Sequence, residues 1–176
     1  MMPAIGQRFH NPTGRQSIKF VQLPVDPFHD DLVMESRYEP HSLIPPLHYH
    51  PDQEEVFEVH QGILTVSMDG LEILKQAGES FTVPARTAHA MWNTGEEEVV
   101  IKWTVRPALD TPQFMQIVYT LAEQGMMKPD GSLPFLQSMS LMRRYGHVFR
   151  PAGIPFGIVR VLAWLMAPVA ALVRVQ

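Results

Sequence analysis

Between about residue 16 and residue 105, hydrophobic and polar positions alternate over short runs: SIKFVQ, LVMESRY, ILTVSM, LEILK, SFTVP and VVIKWTV. Side chains two apart on an extended chain share a face, so this alternation predicts half-buried β-strands. Asp69-Gly70 joins two of the runs and predicts a tight hairpin, and Asn93-Thr94-Gly95 precedes an acidic tip. Strands so closely spaced predict a barrel or a sandwich.

After Pro107 the period changes. Phe114, Ile117, Val118 and Leu121 stand at helical spacing and predict a helix over residues 111–124, with Thr111 as its cap, Pro112 at its first position and Gly125 as its stop. A second helical stretch, Ser132 to Tyr145, sets Phe135, Met139 and Met142 on one side, a pattern of core packing rather than of a cofactor box. The chain therefore divides into residues 1–106, an N-terminal arm and a barrel, and residues 107–176, a helical extension packing on the barrel or on a partner. The last stretch, Ile154 to Val173, is apolar nearly throughout but carries Pro155, Gly157, Arg160 and Pro168. It has about the length of a membrane span. Its arginine and prolines make it a poor one, which leaves packing or dimer contact, contact with a membrane surface, or spanning as its readings.

Composition narrows the chemistry. A chain of 176 residues without cysteine excludes disulfides, thiolate metal sites and a cysteine nucleophile. The net charge of −4, with no basic block, argues against nucleic acid as a partner. The N-terminus lacks the continuous apolar stretch of a secretory signal, so a cytoplasmic location is the expectation.

The positions that carry chemistry fall in two clusters. In SLIPPLHYHPDQEEVFEVHQG, His48 and His50 are two apart, Glu55 follows, and Gly62 closes the run. On a strand both imidazoles can aim at one point inside a barrel, and a carboxylate just past a turn can join them. In GESFTVPARTAHAMWN, Gly78 and Pro84 bracket a strand, His89 begins the next and Asn93 follows; His89 can supply a third imidazole.

These two clusters resemble the paired motifs of the cupin superfamily: His48, His50, Glu55 and Gly62 in the first, and Gly78, Pro84, His89 and Asn93 in the second. Ser42 and Arg86 stand where the family places glycine, so the local turns are expected to differ there. The resemblance covers residues 16–106. It implies an all-β, cupin-type jelly-roll antiparallel barrel, to which the periodicity after Pro107 adds C-terminal helices; it also implies a homodimer and one divalent transition metal held by His48, His50, Glu55 and His89. Three imidazoles and one carboxylate suit Fe, Mn, Ni, Co, Cu or Zn.

Strand parity assigns the rest. With Glu55 inward, Phe57 and Val59 share its face, while Glu54, Glu58 and His60 point away. Met91 and Asn93 follow His89 inward, and Ile101 and Trp103 share one face of VVIKWTV. The expected pocket, Phe57, Met91, Asn93, Ile101 and Trp103, is apolar and aromatic and has no lysine or arginine, which disfavours a strongly anionic substrate. Two functions fit. One is a metal-dependent enzyme, dioxygenase- or isomerase-like, acting on a small, largely apolar or enolisable molecule. The other is a non-catalytic module that binds a small-molecule ligand or metal as sensor or carrier, with membrane contact through residues 154–173.

Overall fold

A computed structural model describes residues 3–166. The alternating runs form two antiparallel sheets. The first places Arg8–Asn11 (β1), Gln16–Gln22 (β2), Leu32–Tyr38 (β3), Glu54–Gln61 (β5), Ser80–Val83 (β8) and Val99–Arg106 (β10) in the order β1-β2-β3-β10-β5-β8. The second places His48–Tyr49 (β4), Ile63–Met68 (β6), Leu71–Gln76 (β7), His89–Trp92 (β9) and Arg150–Pro151 (β11) in the order β11-β4-β9-β6-β7. Both are antiparallel throughout, and their inner faces close on one core. This is the expected jelly-roll architecture, with helices added after it.

The parity of β5 and β10 follows the pleat. Phe57, Val59, Val99, Ile101, Trp103 and Val105 join Ile18, Phe20, Leu32 and Met34 in the barrel core, while His60 is exposed and Glu58 meets Lys102 on the outer face at 2.7 Å. Asp69 and Gly70 both have positive φ (48° and 80°), the backbone a two-residue hairpin needs to match strand twist, and they join β6 to β7. Gly62 is required for a different reason. At φ +77°, a Cβ there would lie 2.8 Å from the Glu98 carbonyl oxygen, where β5 turns into β6 beside β10.

Helices Thr111–Glu123 (α1), Phe135–Tyr145 (α2) and Phe156–Leu165 (α3) follow. Phe114, Met139, Leu141, Met142, Tyr145, Val148, Val159 and Ala163 make a second core among them. Tyr119, on another side of α1, packs into the barrel core instead, so α1 is shared between the two. It also leans on β1, where Glu123 accepts the His10 backbone N–H at 2.8 Å.

Two local details differ from the sequence reading. Thr111 does not cap α1; Asp110 stands at that position, and the Thr111 hydroxyl accepts a 2.8 Å bond from the buried Gln53 amide. Phe135, at the start of α2, is exposed, because the buried stripe of that helix is centred on Met139, Met142 and Tyr145. Arg86 adopts the left-handed φ of 68°, and its N–H donates to the His50 carbonyl at 2.7 Å. No helix among the described residues is long and apolar enough to cross a membrane. Residues 167–173 of the apolar stretch lie outside the described residues.

Candidate metal centre

His48 on β4 and His89 on β9 are register partners across the second sheet, and His50 follows β4 immediately. Glu55 comes from the opposite sheet, on β5, between Val105 of β10 and Val83 of β8. The two sheets thus deliver the four side chains to one point between them. One ligand atom from each of His48, His50 and His89 lies within 4.8 Å of the others. Glu55 Oε1 is 3.2 Å from His50 Nε2, and Oε2 is 2.8 Å from His89 Nε2.

Each ring is held from behind by a backbone carbonyl. His48 Nδ1 meets the Pro46 carbonyl at 2.9 Å and His89 Nδ1 meets that of Thr87 at 2.9 Å, while His50 Nδ1 meets that of Val148. A carbonyl can only accept, so in each ring Nδ1 carries a proton, and in the neutral ring Nε2 is left with a lone pair. Those lone pairs are the side facing inward. His50 Nε2, His89 Nε2 and Glu55 Oε2 are buried without a hydrogen-bond partner despite their short separations. Buried polar atoms are rarely left so. Acceptors crowded around one point, with donors turned outward, are a cation's ligand set, and the three imidazoles fit a divalent metal.

Electrostatics follow from the enclosure. Burial, reinforced by the neighbouring His89 and His50, lowers the His48 pKa to about 3. Burial alone would raise Glu55, yet His50 and His89 hold it down at about 2. Burial alone would lower His89, but the Glu55 carboxylate outweighs it and the pKa rises. Glu55 is further fixed by Trp103, whose Nε1 donates to Oε1 at 3.0 Å.

His48, His50 and His89 line a cavity of about 360 Å³ whose walls come from the barrel core and the helical core. Phe57, Met91 and Trp103 line it. Asn93 and Ile101 do not. Ile101 is sealed inside the barrel core. Asn93 lies past the end of β9, where alternation lapses; its amide donates to the carbonyls of Tyr38, Glu39 and Glu97 and accepts from the Gly95 N–H, tying the acidic loop down. Ser42, in place of the family glycine, accepts the Asn93 N–H at 2.9 Å.

Sequence reasoning missed the other wall. Phe114, Met115, Val118 and Tyr119 of α1, Met139 and Met142 of α2, and Phe149 all face this cavity. Phe149 stacks on His48, centroids 4.6 Å apart at 23°. The segment after it pairs with β4: Arg150 with Tyr49, Pro151 with His48, and the Ala152 N–H with the Leu47 carbonyl at 2.9 Å. No aspartate, glutamate, lysine or arginine lines the cavity.

Residues 34–105 match the family described as Cupin domain and belong to the cupin superfamily, so the barrel is a cupin domain. Over 71 residues the chain is 38% identical to a Hypocrea virens protein named "Probable oxidoreductase virH", a match covering 38% of this chain and 32% of that protein. Among solved structures it is similar to an uncharacterised conserved protein with a double-stranded β-helix domain from Klebsiella pneumoniae (19% identical, 57% of this chain and 84% of that chain, TM-score 0.49). It is likewise similar to an RmlC-like cupin from Shewanella frigidimarina (20% identical, 57% and 83%, TM-score 0.48).

Proposed function

We propose that this chain is a metal-dependent enzyme acting on a small, largely apolar molecule, with one divalent transition ion held by His48, His50, Glu55 and His89. The observation that carries this reading is the convergence of unpartnered Nε2 and Oε2 atoms beside a largely apolar cavity that the three imidazoles line. When bound, the ion supplies a Lewis acid or an oxygen-binding centre. The chain's own residues do the rest. Three carbonyls fix the imidazole tautomers, Trp103 orients Glu55, and the carboxylate offsets the ion's charge in a site with few other polar groups.

An oxidoreductase, dioxygenase-like reaction is favoured over an isomerase-like one. Isomerisation needs a separate acid or base, and the cavity offers no ionised side chain for that task. Tyr38 and Tyr119 line it, but burial raises the pKa of both phenols and keeps them protonated. The name of the Hypocrea virens relative agrees in class. The same shortage of acids and bases supports the second reading, a non-catalytic sensor or carrier for a small ligand.

Anaerobic reconstitution with Fe(II), followed by oxygen uptake against catechols, β-diketones and thiols, separates the two. Uptake above the metal-only rate is expected. Stoichiometric metal with no uptake across the panel overturns the enzyme in favour of the binding module. We further infer a homodimer, with the exposed side of α3 as its contact; Ile158, Val161, Trp164 and Leu165 are the apolar groups that face outward there.

A further inference from the structure

We infer that the chamber under α1 and α2 binds the hydrocarbon body of an uncharged, elongated ligand, an alkyl, isoprenoid or aryl-alkyl chain, whose oxygen-bearing end points at the three imidazoles. The inference rests on the reading of the metal centre for the orientation of the ligand, and on the chamber alone for its chemistry.

The barrel contributes Phe57, Trp103 and Met91 to the lining, with the Phe57 and Trp103 rings stacked. The helical side contributes Met115 from α1, Met127 from the loop after it, and Met139 and Met142 from α2, so five methionines line the space. Methionine is unbranched and polarizable and repacks around irregular apolar shapes, which suits a flexible chain better than one rigid ring. Two separate cores flank the space, so it is a gap between well-packed bodies rather than loose packing within one. Apolar cavities stay dry and take up hydrocarbons.

Polar groups in the lining are few. The three imidazoles and Tyr38 come from the barrel, with Asn11 and Gln16 of β1 and β2, and Tyr119 comes from α1. Ser132 and Ser138 are the hydroxyls of the loop and α2, and the Ser138 hydroxyl is already donated to the Leu133 carbonyl at 3.2 Å. With no cation lining the space, a free carboxylate or phosphate on the ligand body would be buried without a counter-charge, which is strongly unfavourable.

The test uses the full chain in two states. In protein stripped with EDTA, the uncharged dye N-phenyl-1-naphthylamine should bind one per chain with enhanced fluorescence, and primary alcohols from butanol to decanol should displace it. Each added methylene should tighten competition roughly three- to fourfold until the chamber is full. In Zn(II)-loaded protein, alkyl hydroxamates of the same lengths should show the same slope and bind more tightly than the matching alcohols. A flat dependence on length overturns the chamber proposal, whatever the metal does. A steep dependence without any hydroxamate advantage leaves the chamber standing and overturns the orientation toward the imidazoles. M115W, which fills the space, should weaken dye binding at least tenfold; if its circular dichroism shows misfolding, M127W serves in its place. Unchanged dye affinity in a folded variant also overturns the proposal.

Discussion

His50 Nδ1 donates to the backbone carbonyl of Val148, 98 positions further along the chain. A ring of the barrel's histidine cluster is thus set in its tautomer by the helical extension, and the neighbouring Phe149 stacks on a second ring, His48. Groups that orient metal ligands from behind commonly matter by 10–100-fold in affinity. F149A is expected to weaken Zn(II) binding about tenfold in competition with a chromophoric chelator, with the far-ultraviolet circular dichroism unchanged. An unaltered affinity would show that the stack is incidental.

H50A should reduce bound metal from one equivalent to near none by elemental analysis, because its Nε2 is one of the inward lone pairs. E55Q keeps the shape but removes the charge that raises the His89 pKa, so it should retain partial occupancy with weaker affinity. Full occupancy in H50A would show that the ligand set is wrong.

Acid should act on the metal-free protein in two stages. His48 falls from 6.5 to about 3 on folding, so below pH 6.5 the unfolded chain takes up a proton that the folded chain refuses. Stability contributed by that neutral ring is present above 6.5 and is lost as pH falls toward 3. Glu55, lowered from 4.5 to about 2, adds a second loss below pH 4.5. His89 works in the opposite sense: its pKa is raised, so its contribution is fully present below 6.5 and fades as pH rises past its folded value. The Tm of EDTA-treated protein should therefore fall between pH 6.5 and 4.5, and H48Q should flatten that segment. In loaded protein the proton competes at His89, and metal content should drop as pH passes about 6. A flat profile in H48Q and wild type alike contradicts the assignment.

N93A separates a structural amide from a pocket residue. Losing a buried group that makes four hydrogen bonds should cost about 2–4 kcal/mol in urea unfolding while leaving metal stoichiometry at one. Loss of metal without loss of stability would place Asn93 in the site after all.

W164E addresses the outward face of α3, where Trp164 is 72% exposed. Wild type is expected to scatter light as a dimer and the variant as a monomer. Unchanged mass with lost liposome binding assigns that face to a membrane surface instead.

The convergence of His48, His50, Glu55 and His89 was legible because it rests largely on a period of two. His48, His50 and Glu55 are displayed by strands and a short turn, where parity decides direction, and the same rule separated His60 from the site. What escaped had no such signal. The four residues of β1 and two of β11 are too short to alternate visibly. The Val148 carbonyl is a backbone group that any residue would supply. Helical spacing marked Met139 and Met142 as apolar-facing but could not tell what they face, so the outer wall of the cavity was invisible. Asn93 was misjudged because parity was carried one residue beyond the strand that justified it.

The strap from Val148 to Ala152 fastens the extension to the same short strand that carries His48. Peeling the helices back to admit a bulky guest would release the hold on two imidazoles together, so loading and retention are reciprocally linked. An ion in place should slow proteolytic nicking of the helices, and a latch cut between Pro151 and Gly153 should let the ion leak away.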